Sequence, residues 1–132
     1  MNLFIKTAAK KQIVDITENI NRLVSAQKFQ NGLCHLFIKH TTAALTTADL
    51  DAGGTDQDYL DAFEALMPKL NYRHPHNPAH VVDHILVSVI GPDVTIPVVD
   101  GELELGQWQR VVLVELDGPR EREILVNLIR AT

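Results

Sequence analysis

The chain has 132 residues, 45% of them hydrophobic, and a formal charge of −5. That length predicts a single domain over residues 1–132 with a core of its own. An acidic chain with only 5% aromatic residues lacks the basic face that nucleic acid demands. A single cysteine, Cys34, rules out an internal disulfide and cysteine-rich zinc sites, so any metal must use histidine and carboxylate. No apolar run approaches the roughly 18 residues of a membrane span. Residues 1–11 carry lysines but no long apolar core, so they do not read as a signal peptide. A cytoplasmic enzyme or binding protein is the expectation.

Residues 3–7 predict an opening strand. Asp15 and Glu18 resemble a capping box, after which Ile16, Ile20, Leu23 and Val24 recur at helical spacing. Residues 33–39 form a continuous apolar run, the mark of a strand buried on both faces. Gly53 and Gly54 break the chain, and residues 55–67 then predict a helix with Leu60, Phe63 and Met67 on one stripe. A loop with Pro75 and Pro78 leads into a second helix over 79–90, with Val81, Ile85 and Val89 as its apolar repeat and Gly91-Pro92 as its stop. Strands follow at 94–99, 102–105, 109–116 and 122–129, with Asp100-Gly101 as a tight turn. Helices first and a strand meander last predict an α+β fold with a mixed sheet, not a doubly wound one.

Histidines mark the candidate chemistry. His74, His76, His80 and His84 fall within eleven residues, and His40 opens the phrase His40-Thr41-Thr42-Ala43-Ala44-Leu45-Thr46. His80 and His84, four apart on a helix, share a face that suits a two-histidine metal clamp or a solvated helix start. No glutamate follows His80, so the metalloprotease motif is absent. His40 closes a strand, and Thr41 and Thr42 offer hydroxyls to phosphate oxygens, or are β-branched residues that favour strands. Among Asp49, Asp51, Asp56, Asp58 and Asp61, Asp58 is the candidate for a hard cation, the others reading as caps or a solvated face. Glu115 and Arg120 flank a turn, where arginine can fork onto phosphate or lock a salt-bridged hairpin. Trp108, beside Gly106, reads as a core or interface plug, with a ring wall over a ligand as the alternative.

Taken together, these phrases resemble the YjbQ-like family, often described as secondary thiamine-phosphate synthase. His40-Thr41-Thr42-Ala43-Ala44-Leu45-Thr46 is similar to its first signature. Tyr72-Arg73-His74 and His84 before Gly91 are similar to the second. Residues 94–101, 105–109 and 115–120 (Glu-Leu-Asp-Gly-Pro-Arg) are similar to the third. The resemblance covers residues 3–129. It implies a mixed sheet bent into a distorted barrel or sandwich with a few helices, a homotrimer with pockets near subunit boundaries, and a metal among His40, His74 and His84. Asp58 falls on the family's acidic helix position and Arg120 on its late arginine. Where the family has Asn-Glu-Asn and then Asp-Pro, this chain has Ala48, Asp49 and Leu50, then Ala52 and Gly53. His76 and His80 fall outside the family's general positions and read as local additions or surface residues.

The function implied is transfer of a pyrimidinylmethyl group to a thiazole phosphate with release of diphosphate. Asp58, Glu115 and Arg120 would be catalytic, and Thr41, Thr42 and Arg120 would hold the phosphorylated small molecule. The cofactor would be a divalent metal, zinc rather than magnesium because the ligands are imidazoles. The rivals are a zinc-dependent hydrolase and a non-catalytic trimeric protein that binds metal or a small anion. Neither nucleic acid nor membrane is expected as a partner.

Overall fold

The computed structural model describes residues 1–73 and 80–132. His74, His76 and the first residue of the expected second helix lie outside the described residues. Among the described residues, eight strands and three helices run in the order β1 (Asn2–Lys6), β2 (Gln12–Asp15), α1 (Thr17–Ala26), β3 (Gly32–Ile38), β4 (Ala43–Asp49), α2 (Thr55–Leu66), α3 (His80–Ile90), β5 (Asp93–Val99), β6 (Glu102–Leu103), β7 (Gln109–Glu115) and β8 (Glu121–Arg130). One sheet has the order β1-β8-β3-β5-β6, the other β2-β7-β4, and together they curl into an antiparallel half-barrel. The expected α+β class is what the chain adopts. The sheet read as mixed is antiparallel in every pairing, because each strand finds its partner through a reversal of the chain and none through a parallel crossover.

The three-stranded sheet is the middle layer. On β7, Val111 and Leu113 point into a core shared with α1 and the five-stranded sheet, while Val112 and Val114 point into a second core beneath α2 and α3. A strand covered on both sides is apolar at successive positions, as β7 is. The run at 33–39 behaves differently. Cys34, Leu36 and Ile38 are buried, but on the outer face Leu33 is exposed and His35 and Phe37 are half-buried.

Two helix details depart from the sequence reading. The Asp15 carboxylate accepts the Thr17 N–H at 3.0 Å, but Glu18 does not return to close a capping box. It pairs instead with Arg110 at 3.3 Å. On α3, the buried residues are Asp83, Leu86 and Val87 rather than Val81, Ile85 and Val89, and Val89 is 73% exposed. This helix is apolar around most of its circumference, so periodicity alone does not choose its face. Leu86 and Val87 pack into the second core in this rotation, and the buried Asp83 pairs with Lys11 at 3.4 Å.

Gly32 starts β3 with φ +152°, and a methyl group there would sit 2.0 Å from the Ile129 carbonyl oxygen and 2.7 Å from the Phe29 ring. Backbone cannot give way as a side-chain end can, so Gly32→Ala is expected to destabilise by at least about 1–3 kcal/mol, read as a lower urea midpoint at unchanged slope.

Candidate functional site

The link between the two sheets places His40. β3 stops at Ile38, and β4 begins in the other sheet at Ala43. The pairing of β3 with β8 ends at Ile38↔Ile124, which would leave the next N–H of β8 without a strand acceptor. His40 supplies one: Glu123 N–H donates to its Nε2 at 3.2 Å. The end of α3 closes over the same corner. Gly91 N–H donates to the Val87 carbonyl at 2.8 Å, the Gly91 carbonyl accepts from Leu45 at 3.1 Å, and the Pro92 carbonyl accepts from Ile38 at 2.9 Å. A hollow of about 430 Å³ results, lined by His40, Thr41, His84, Val87, Ser88 and Pro92.

Both imidazoles are fixed by backbone groups. A carbonyl oxygen can only accept, so the 2.9 Å contact of His84 Nδ1 with the Thr41 oxygen puts the proton on Nδ1 and makes Nε2 the acceptor nitrogen. A backbone N–H can only donate, so His40 Nε2 carries the lone pair and its proton sits on Nδ1. The rings share a tautomer but are anchored through opposite nitrogens. In the neutral rings the other nitrogen is therefore a donor on His40 and an acceptor on His84. Partial burial, then the positive charges of Arg122 and Arg120, hold the His40 ring below the usual imidazole range against the opposing pull of Glu115 and Glu123.

Behind His40 lies a buried ion pair. Arg122 and Glu115 are both wholly buried. Arg122 Nε donates to the two Glu115 oxygens at 2.9 and 3.2 Å, and Nη2 makes a further short contact with Oε2. Thr7 Oγ1 at 2.7 Å and Asp117 N–H at 3.1 Å complete the carboxylate's partners. Burial works to raise the Glu115 carboxyl, but the bonds from Arg122, Thr7 and Asp117 outweigh it and hold it below the ordinary range.

The residues singled out from sequence therefore separate. His40, Thr41 and His84 meet on one hollow. Thr42 does not line it: its hydroxyl and carbonyl accept from Arg122 Nη2 at 2.8 and 3.2 Å inside the protein. Glu115 is enclosed with Arg122 rather than presented to a ligand. Arg120 is half-exposed but turned back, with Nε on the Asp117 carbonyl at 2.9 Å and Nη2 on its carboxylate at 3.0 Å. Asp58 is exposed on the first turn of α2 and does not line the hollow. His80 lines a different cleft with Lys10, Lys11 and Lys69, so the helical histidine pair does not share a cavity. Trp108 is 65% exposed; it precedes β7 in a turn, outside all three layers, and is no core plug. Ser88 and Pro92 were missed by sequence reasoning, because both owe their position to how α3 docks on the corner.

Among the described residues no group of three His, Cys, Asp or Glu side chains could hold a metal ion, and no helix is long and apolar enough to cross a membrane. The His40 Nε2 lone pair is already committed to Glu123, which does not suit a ligand. His84, braced through Nδ1 by a carbonyl, does suit one.

Comparison with known proteins gives the lineage. A UPF0047 protein of Archaeoglobus fulgidus is 35% identical over 130 residues, spanning 98% of this chain and 100% of that protein. A UPF0047 protein of Mycobacterium tuberculosis is 39% identical over 116 residues, 85% of each. Among solved structures, a YbjQ-like protein of unknown function from Sulfolobus solfataricus superposes with a TM-score of 0.88 at 32% identity, covering 99% of this chain and 96% of that one. A YjbQ/UPF0047 family protein from Clostridium acetobutylicum gives 0.87 at 29% identity, covering 98% and 99%. The UPF0047 protein YjbQ-like family matches residues 1–131, and the chain belongs to it.

Proposed function

We propose that the hollow between the β3–β4 corner and α3 is the active site of a cytoplasmic enzyme acting on a phosphorylated small molecule, with thiamine-phosphate synthase-type transfer as its specific form. One observation carries this reading: two imidazoles from different elements, His40 and His84, each held by a backbone group, border the same cavity. In the transfer, the carbon–oxygen bond to diphosphate breaks, its electrons leave on the diphosphate oxygen, and the thiazole nitrogen forms the new bond to the pyrimidinylmethyl carbon. The leaving anion needs a positioned donor, which His40 Nδ1–H supplies. The Thr41 hydroxyl, and Arg120 once released from Asp117, are the phosphate contacts. Glu115 supports the site from behind, and Asp58 has no part in this arrangement. A homotrimer fits the exposed apolar residues Leu33, Ile129 and Val99 on the outer sheet face.

A second reading has an observation of its own. The His84 Nδ1–H···O=C brace is the arrangement that orients metal-bound imidazoles, so a divalent ion, zinc by ligand type, would sit on His84. That ion would serve hydrolysis or simple binding.

The test is turnover of a hydroxymethylpyrimidine diphosphate with a thiazole phosphate. Product and diphosphate in equal amounts, both abolished by His40→Ala, support the transferase. Phosphoester cleavage without the second precursor supports the hydrolase. Near-stoichiometric transition metal that is lost in His84→Ala, with neither activity, leaves binding alone and overturns the catalytic reading.

A further inference from the structure

We propose that Arg122 positions both imidazoles of the hollow, through Thr42 on one side and through its own neighbour Glu123 on the other. The inference rests on the reading of the hollow as an active site. Arg122 stands in β8 in phase with Ile124 and Val126, and is as buried as they are. Having no exposed surface, it cannot bind a ligand itself and acts only through what it holds. Its fork spends Nε on Glu115, and Nη2 on Glu115 and on both oxygens of Thr42. The Thr42 carbonyl also accepts the Leu116 N–H at 3.0 Å, so Thr42 is held both by β8 and by the residue that follows β7. Thr41, the next residue back, offers the carbonyl that fixes His84. Glu123, the next residue forward from Arg122, offers the N–H that fixes His40.

Two histidines 44 positions apart are thus each braced by a backbone group next to a residue in the reach of one planar guanidinium. Lysine could keep the ion pair with Glu115, but it is a point charge on a flexible stem and cannot reach Glu115 and Thr42 in one rigid geometry.

Ring-nitrogen NMR on 15N-labelled protein tests this without substrate. In the wild type, both His40 and His84 should read as Nδ1–H, the tautomer an unrestrained imidazole disfavours. In Arg122→Lys, with the amide spectrum still that of a folded protein, both should move to the ordinary mixture dominated by Nε2–H. Unchanged Nδ1–H signals in a folded Arg122→Lys protein would overturn the proposal. Should that variant not fold, Thr42→Val keeps the ion pair and the side-chain shape while removing the hydroxyl acceptor. Loss of the His84 Nδ1–H state with His40 unchanged is then expected, and no change at His84 overturns it. Because no substrate enters the measurement, its failure is distinct from failure of the turnover experiment.

Discussion

Glu115→Leu is expected to destabilise the protein by about 3–5 kcal/mol, the cost of leaving a buried charge without its partner, and Arg122→Met by a similar amount. Each removes one member of a pair that has no contact with solvent. In Glu115→Leu, the Arg122 cation stays in the interior with only the two Thr42 oxygens as acceptors. In Arg122→Met, the Glu115 carboxylate keeps Thr7 and Asp117 as donors but loses its counter-charge. The double variant should cost much less than the sum, because no charge remains buried. It will not be neutral, since the Asp117 N–H loses its Glu115 partner and a buried donor left unsatisfied costs about 1–3 kcal/mol. Urea titration of all four proteins closes the cycle, and additive single effects would refute coupling. The pair also has an acid signature. Glu115 has an ordinary value near 4.5 and is held below it in the fold. The folded state therefore favours the carboxylate, and the unfolded chain takes up the proton first. The pair's contribution is present above pH 4.5 and is lost as pH falls from there through the folded value. Glu115→Gln should flatten that part of the stability profile, leaving a protein less stable near neutrality and less sensitive to acid.

Much of this architecture was legible in the sequence, and the exceptions share a cause. β3, α2, β5, β7 and β8 carry strong periodic or continuous apolar signals. β2 has only four residues, and β4 reads Ala-Ala-Leu-Thr-Thr-Ala-Asp, whose alanines have little strand preference. Both become strands because β7, between them, offers them ladders. The face of α3 was hidden for the same reason: its partners, not its pattern, choose it. His40 could be singled out because it closes an apolar strand, but its bond to Glu123 spans 83 residues and the bond of His84 to Thr41 spans 43. No local pattern encodes contacts of that range. The Arg122–Glu115 pair did leave a signal. Arg122, Ile124 and Val126 alternate on one face of β8, and a charge in phase with a core face implies a buried partner. Glu115 follows Leu113 on the corresponding face of β7.

Under the proposed function, His40→Ala and His84→Ala should each lower turnover by roughly 10²–10⁴-fold, the range for a positioned acid or base. The double variant should fall well short of the product of the two, since groups that act as a unit are not additive. Thermal midpoints should move little beside this loss, as both rings border a hollow and neither belongs to the two apolar cores. Asparagine separates chemistry from scaffolding. In His84→Asn, the side-chain amide can still donate to the Thr41 carbonyl, but it cannot take up a proton. Activity that survives His84→Asn would make His84 a brace and refute its role as base. The pH profile offers an independent reading. Protonating His40 puts a proton on Nε2, directly opposite the Glu123 N–H that now donates to it, so the charged ring must leave its seat. Burial together with Arg122 and Arg120 delays that event to below the ordinary value of 6.5. The part of the acid limb that belongs to His40 should therefore lie below 6.5, and it should vanish in His40→Ala. A His40-dependent limb centred at or above 6.5 would refute this assignment.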